Sequence, residues 1–278
     1  MDREKEYING MLTRTALCFS QLEIDKIRNT TLSIAGLGGV GAITVELFAR
    51  WGIKKFRLMD MDCYDESNMN RQLFATSRTL GRNKVDVAEE RIKEINPYAE
   101  IELKIADRVD NDNIDRFIKG AGFIIQNADH PSCKLFYLAA KKYKVPLVNG
   151  YATISGGRVQ VFNYDQSDCT SFLENIWHKI KYKDGKTVDQ MTREEIEKFD
   201  RDNVHSTAPS VNFVVNIVGA MIVGETIKVI ARRGKPVVYP RYRCFDLFDN
   251  TMGIRNSNSI FNPDNMSRLI SVIKNRIK

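Results

Sequence analysis

Leu32-Ser33-Ile34-Ala35-Gly36-Leu37-Gly38-Gly39-Val40-Gly41 is the stretch whose reading decides the fold. A short apolar run stops at glycines, as a strand buried in a parallel sheet does. Gly36, Gly38 and Gly41 fit the GxGxxG spacing, with Gly39 between them. Glycines there make a tight turn and let the backbone approach a phosphate. Residues 40–51 read as a helix, whose first turn supplies N–H groups and the positive end of a dipole. Residues 55–60 read as a second strand ending in Asp60, about twenty residues on, where an acid accepts from a ribose hydroxyl. A glycine turn with no ligand is the alternative.

The alternation continues outward. Val85, Ala88, Ile92 and Ile95 recur at spacings of three and four, which predicts a helix over 83–95, stopped at Asn96-Pro97. Strands are expected at 100–105, 123–127 and 145–148, and helices from Ser20 onward, at 113–119 and at 131–143. The class is α/β, a Rossmann-like, mostly parallel sheet with helices on both faces. After Gly156-Gly157 the pattern alternates strictly. Strands at 158–162, 239–247 and 252–255 are expected to continue the sheet in antiparallel fashion through the C-terminal half. Residues 163–209 read as a long, partly helical polar loop with a charged run at 179–186, and long loops are usually functional. Residues 211–230 read as a buried helix and not a membrane span, because Asn212, Asn216, Glu225 and Lys228 interrupt them. A last helix is expected at 266–277.

Composition narrows the class. Of the 278 residues, 43% are hydrophobic and 28% charged, which excludes a disordered chain, a collagen and a coiled coil. We read one domain over 1–278: a nucleotide-binding core at 1–162, the loop at 163–209, and a helix, strands and basic tail at 210–278. The start, Met1 to Glu6, is too charged for a secretory signal, so the cytoplasm is the expected compartment. Cys18, Cys63, Cys133, Cys169 and Cys244 are scattered, which predicts free thiols and no zinc site built from paired cysteines. The net charge is +7, and from Lys228 onward 11 basic residues face 3 acidic ones. That tail is either a solvated surface or a footprint for an acidic partner such as RNA.

A glycine loop does not separate NAD from ATP; the residues after Asp60 do. Asp62 is followed by Ser67-Asn68-Met69-Asn70-Arg71-Gln72, and Gly81-Arg82-Asn83-Lys84 opens the next helix. A dinucleotide has little use for this set, since its pyrophosphate already lies on the glycines. A triphosphate carries more charge, and a departing pyrophosphate needs cationic stabilisation from a guanidinium fork and a lysine. An oxidoreductase using NAD(P) shares the glycine loop and Asp60 but leaves Arg71, Gln72 and Lys84 unexplained.

Gly-x-Gly-Gly-x-Gly, then Asp-x-Asp, Ser-Asn-x-Asn-Arg-Gln, Gly-x-x-Lys and Ile-Asn-Pro (here Ile95-Asn96-Pro97) follow one another in order. In this the chain resembles the ThiF/MoeB/HesA superfamily, the prokaryotic relatives of ubiquitin-activating enzymes, from about residue 14 to 162 and more weakly from 207 to 255. The N-terminal half looks nearest to the TcdA-like branch, which cyclises threonylcarbamoyl-adenosine in tRNA. The resemblance implies adenylation of a carboxylate by ATP with release of pyrophosphate. By it, Gly38 and Gly41 face the phosphates, with Gly36 and Gly39 in the same loop, and Asp60 holds the ribose. Asn68, Arg71 and Gln72 contact the triphosphate, Lys84 bridges phosphates at the reacting end, and Asp129 holds Mg²⁺. It also implies a homodimer in which Arg14 reaches the neighbouring subunit's ATP. The acyl substrate would be a ubiquitin-like carrier, a peptide or a small-molecule carboxylate, with a modified tRNA as the further alternative and no membrane partner.

Each assignment has a plainer competitor. Arg71 and Gln72 would serve merely to tie a loop, Lys84 as surface charge, Asp62 as structure, and Asp129 as a helix cap. Departures from the family pattern matter too. Gln126 stands where many members have a second acid, the one feature that favours a non-catalytic partner protein. Cys169 stands alone where a zinc CxxC pair would begin, and 204–209 holds no thiol. A cysteine-thioester route is therefore disfavoured, Cys169 reads as an inert loop residue, and His205 reads as exposed rather than as a base.

Overall fold

The computed structural model describes residues 3–170, 185–203, 209–259, 261–262 and 265–266. The helix expected at 266–277, most of the charged run and His205 lie outside the described residues. The chain opens with α1 (Arg3–Leu12) and α2 (Gln21–Arg28). Ser20 and Glu23 form a reciprocal capping box that starts α2 where the sequence reading places it. No helix was expected at α1; it buries Ile8 and Leu12 against Ile24.

Then follow β1 (Thr31–Ala35), α3 (Gly39–Arg50), β2 (Lys55–Met59), α4 (Lys84–Ile95), β3 (Glu100–Ile105), α5 (Ile114–Ile118), β4 (Phe123–Gln126), α6 (Lys134–Tyr143), β5 (Leu147–Ala152) and β6 (Gly156–Phe162). The remainder is α7 (Arg193–Asn203), α8 (Asn212–Ala231), β7 (Arg241–Asp246) and β8 (Thr251–Asn256). One eight-stranded sheet runs in the order β3-β2-β1-β4-β5-β6-β7-β8. Its first five strands are parallel, and the β5–β6, β6–β7 and β7–β8 pairs are antiparallel.

Element boundaries differ from the sequence reading at several places, and three of the differences fall at prolines. The helix expected at 131–143 begins as a 3₁₀ turn, Pro131–Cys133, before α6. β5 starts at Leu147 and β7 at Arg241, each directly after a proline that has no N–H to give a ladder. β5 then runs on to Ala152, with Gly150 seated against Ile222 and Val218 of α8.

Side-chain alternation divides the core. Phe123 and Ile125 of β4 join the cluster under α3, α4 and α8, while Ile124 joins the cluster under α5 and α6. α8 is long and apolar enough by composition to cross a membrane, and half of it is buried in this structure. It packs on α3, β5 and β6. Gly219 makes this possible, since a Cβ there would lie 2.3 Å from Ile43 Cγ2 and 2.9 Å from the Val40 carbonyl.

The register sets up the site. Ala35 pairs with Met59 on one side and Gln126 on the other. Three strands thus end side by side, and Gly36, Asp60 and Asn127 are the next residues. β1 has its neighbours on opposite sides in chain order, which makes this the switch point where open α/β sheets bind ligands.

Candidate active site

The glycine loop is held tightly. Gly36 has φ +79°, and a Cβ on it would lie 2.6 Å from the Ala128 nitrogen. A Cβ on Gly41 would lie 1.8 Å from the Gly36 carbonyl oxygen. In the fold the bare Cα of Gly41 faces that carbonyl and lets α3 close on the loop. Gly39 has Val215 of α8 against it, and Gly38 has Gln72 Nε2 at 3.5 Å from a would-be Cβ. The first turn of α3, from Gly39, carries N–H groups that no intrahelical carbonyl can take.

Asp60 secures the loop from β2. Its carboxylate accepts from Leu37 N–H at 2.6 Å and from Asp62 N–H at 2.9 Å. Burial raises its pKa, opposed by Lys84 and these two N–H groups. Beside it, Lys84 Nζ donates to Asp62 at 2.9 Å; the lysine side chain is 6% exposed, the aspartate 52%. Lys84 is therefore not surface charge. A buried ammonium needs its partner, and Asp62 meets that need while remaining open to solvent.

Arg71 does tie its own loop, as one reading had it: Nη1 donates to the Ser67 carbonyl at 2.7 Å and to Asn70 Oδ1 at 2.9 Å. It also reaches the centre electrostatically. Asp129 is open to solvent, yet protein crowds it, and that crowding raises its carboxyl pKa. His130, Arg71 and Lys84 pull the pKa down and Asp62 pushes it up. The fold thus brings Arg71, Lys84, Asp62 and Asp129 within one electrostatic neighbourhood. The turn after Asp129 is capped by His130 without a side-chain bond, so Asp129 is not its cap.

Arg14 stands apart. It is exposed in the segment after α1, close to Cys18, whose carbonyl accepts from Arg233 just past the end of α8. Val215 at the other end of α8 touches the glycine loop. Within one chain, Arg14 lies at the opposite end of the sheet from the loop.

Eight buried side-chain atoms lack a hydrogen-bond partner among the described residues, and four of them belong to Asn68, Gln72 and Asn127. These four are Asn68 Oδ1, Gln72 Oε1 and both Asn127 side-chain atoms. Gln72 and Asn127 border the glycine loop at Gly38 and Gly41. Buried polar groups are ordinarily satisfied; Asn127 Nδ2 can donate to a phosphate on the loop, while the three oxygens need donors such as a ribose hydroxyl or bound water. Asn127 was absent from the sequence assignments; an amide at the carboxyl end of a strand at the switch point was the available signal. A lone carboxylate at Asp129 suits magnesium, which takes its other ligands from phosphate and water. Among the described residues no group of three or more His, Cys, Asp or Glu forms a metal cage.

Residues 12–266 match the ThiF family, and the chain belongs to it. The class that this fold and site define is the ThiF-type adenylyltransferase, an enzyme that uses ATP. The molybdopterin-synthase adenylyltransferase of Salmonella typhimurium is 26% identical over 228 residues, 79% of this chain and 82% of that one. The tRNA threonylcarbamoyladenosine dehydratase of Haemophilus influenzae is 30% identical over 189 residues, 66% of this chain and 70% of that one. The crystal structure of Escherichia coli MccB with ATP superposes with a TM-score of 0.71 at 18% identity, over 93% of this chain and 75% of that one. That last likeness concerns the fold.

Proposed function

We propose that the chain, as one adenylation domain acting in the cytoplasm, transfers AMP from ATP to a substrate carboxylate. A carboxylate oxygen bonds to the α-phosphorus, the bond from that phosphorus to the bridging oxygen breaks, and pyrophosphate leaves with the electron pair. The products are an acyl-adenylate and pyrophosphate, and a separate nucleophile then takes the acyl group. The observation that carries this reading is the convergence of Arg71 and Lys84 on Asp129, with unpartnered side-chain atoms of Gln72 and Asn127 bordering the glycine loop. Charge develops on the leaving oxygens, and fixed cations act there without reorganising. Arg71 exchanges its loop carbonyl for pyrophosphate, and Lys84, steadied by Asp62, faces the reacting phosphates. Asp129 would hold magnesium, which supplies further neutralisation of phosphate charge when bound. Arg14 would act across a homodimer interface, in keeping with its distance from its own chain's loop.

The substrate carboxylate belongs to a ubiquitin-like carrier, a peptide or a small molecule. A second reading, dehydration of threonylcarbamoyl-adenosine in tRNA, draws on the 30% identity to the Haemophilus influenzae dehydratase and on the basic charge after Lys228. Calorimetry with ATP plus magnesium, ATP plus chelator, and NAD⁺ tests the first step. Magnesium-dependent ATP binding is expected; NAD⁺ binding with no response to ATP would sink the proposal. Pyrophosphate exchange with carrier, peptide and tRNA then separates the substrates.

A further inference from the structure

The segment between β6 and α8 takes no part in the steps above, yet it grips the loop that carries Asp129. α7 is clamped twice. In its first turn, Arg193 Nη2 donates to Asp107 at 2.8 and 2.7 Å, and Nη1 donates to Asp110 at 3.2 Å. In its last turn, Asp200 is 1% exposed. It accepts from Ser132 N–H at 2.9 Å and Ser132 Oγ–H at 2.7 Å, and it pairs with Arg108. His130 Nδ1 lies 3.8 Å away. At the far end of the same segment, the Ser210 carbonyl accepts from Asn70, the neighbour of Arg71, at 3.2 Å.

A buried carboxylate is costly unless its lone pairs are filled. Docking α7 does not by itself require one, since Ile196 is fully buried in the core under α5 and α6. Two of the three hydrogen bonds on Asp200 come from Ser132, three residues beyond Asp129. The near side of the loop is fixed separately. Asn127 N–H donates to the Ala35 carbonyl at 2.8 Å, and Gln126 Nε2 and Cys133 Sγ both donate to the Ala128 carbonyl. Asp129 therefore sits between one anchor on the sheet and one on α7.

We propose that Asp200 is a positioning residue: through Ser132 it holds the far end of the 127–133 loop and thereby keeps Asp129 where magnesium and phosphate meet it. This rests on the adenylation reading for the role of Asp129. Outer partners of metal ligands typically change metal affinity by about 10- to 100-fold when removed.

The test uses the full chain and the variants Asp200→Ala and Ser132→Ala. Two quantities are read: amide hydrogen exchange over 128–133 without ligand, and ATP affinity by calorimetry with magnesium and with chelator. In Asp200→Ala, exchange over 128–133 should rise about tenfold or more while β1 keeps its protection. Affinity for ATP with chelator should stay within about twofold, and the gain conferred by magnesium should fall about tenfold. Ser132→Ala, which keeps its N–H, should move both readouts the same way by less. Unchanged exchange over 128–133 overturns the proposal. So does an equal loss of affinity with magnesium and with chelator, which assigns Asp200 to general structure. If Asp200→Ala does not fold, Ser132→Ala and Arg108→Ala are held to the same criteria. Wild-type protein that binds no ATP in either condition overturns the adenylation reading instead, while the exchange data still decide whether Asp200 holds the loop.

Discussion

β4 and β8 belong to one sheet and live in opposite surroundings. All four residues of β4 are buried, and all six of β8 are exposed. β4 lies between two helix layers, so its neighbours are fixed from both sides, and the residues that follow it inherit that rigidity. β8 is an edge strand that shows Met252 and Ile254 to solvent. The parallel half spends its packing on placing Gly36, Asp60 and Asn127 side by side. The antiparallel half keeps a surface, with a concave face of about 650 Å³ lined by Tyr151, Arg158, Tyr242 and Arg255. Chemistry that needs fixed charges suits the first half.

Glycine substitutions sharpen this contrast most. Gly41→Ala forces a methyl carbon into the Gly36 carbonyl, and the neighbour is backbone, which cannot step aside. We expect a loss of about 3 kcal/mol or more by urea denaturation, or no folded protein. Arg71→Ala comes next. It should lower pyrophosphate exchange about 100-fold with the unfolding midpoint unchanged, as removal of a fixed charge-stabilising donor does; full activity would return Arg71 to its loop-tying role alone. Asp62→Asn takes from buried Lys84 its directly bonded countercharge, leaving only the more distant Asp60 and Asp129. A loss of about 1–2 kcal/mol is expected, well short of a fully buried pair because Asp62 is half open to water.

Asp129→Asn should act in the other direction on stability. The folded carboxyl pKa is raised, so the native state holds its proton more tightly than the unfolded chain, and stability falls as pH rises through that interval. The penalty of ionising Asp129 in the folded state grows as pH rises above the ordinary carboxylate range. The amide removes it, so the variant should melt higher at neutral pH while losing magnesium-dependent ATP binding. The difference should vanish below the ordinary carboxylate range, where both states are protonated; melting curves at pH 7 and at about pH 2 check the sign. Gly253→Ala on β8 is the smallest change. A Cβ there has nothing within 4 Å, and we expect stability within about 0.5 kcal/mol of wild type.

Much of the parallel half was legible in the sequence because its signals are local. The glycine turn, the helical spacing at Val85, Ala88, Ile92 and Ile95, and the order of the motifs each lie within a few residues. Boundaries failed where a proline withheld an N–H, at Pro146 and Pro240, and where Pro131 opened a 3₁₀ turn instead of a full helix. α1 escaped because a single apolar pair, Ile8 and Leu12, declares its face only once α2 lies beside it. Among the candidate site residues, the surroundings of Asp60 and Lys84 were not legible in the sequence. Asp60 binds the glycine loop itself, and Lys84 is interior.

Sequence alone determined the class of fold, the position of the glycine loop and the order of the motifs that follow it, because period, turn chemistry and motif order are carried along the chain. Only the tertiary structure decided that Gly41 serves a carbonyl contact, that Asn127 stands unpartnered beside the loop, and that Asp200 reaches back 68 residues to Ser132. Those facts depend on distances between segments that packing brings together, and separation along the chain carries no record of them.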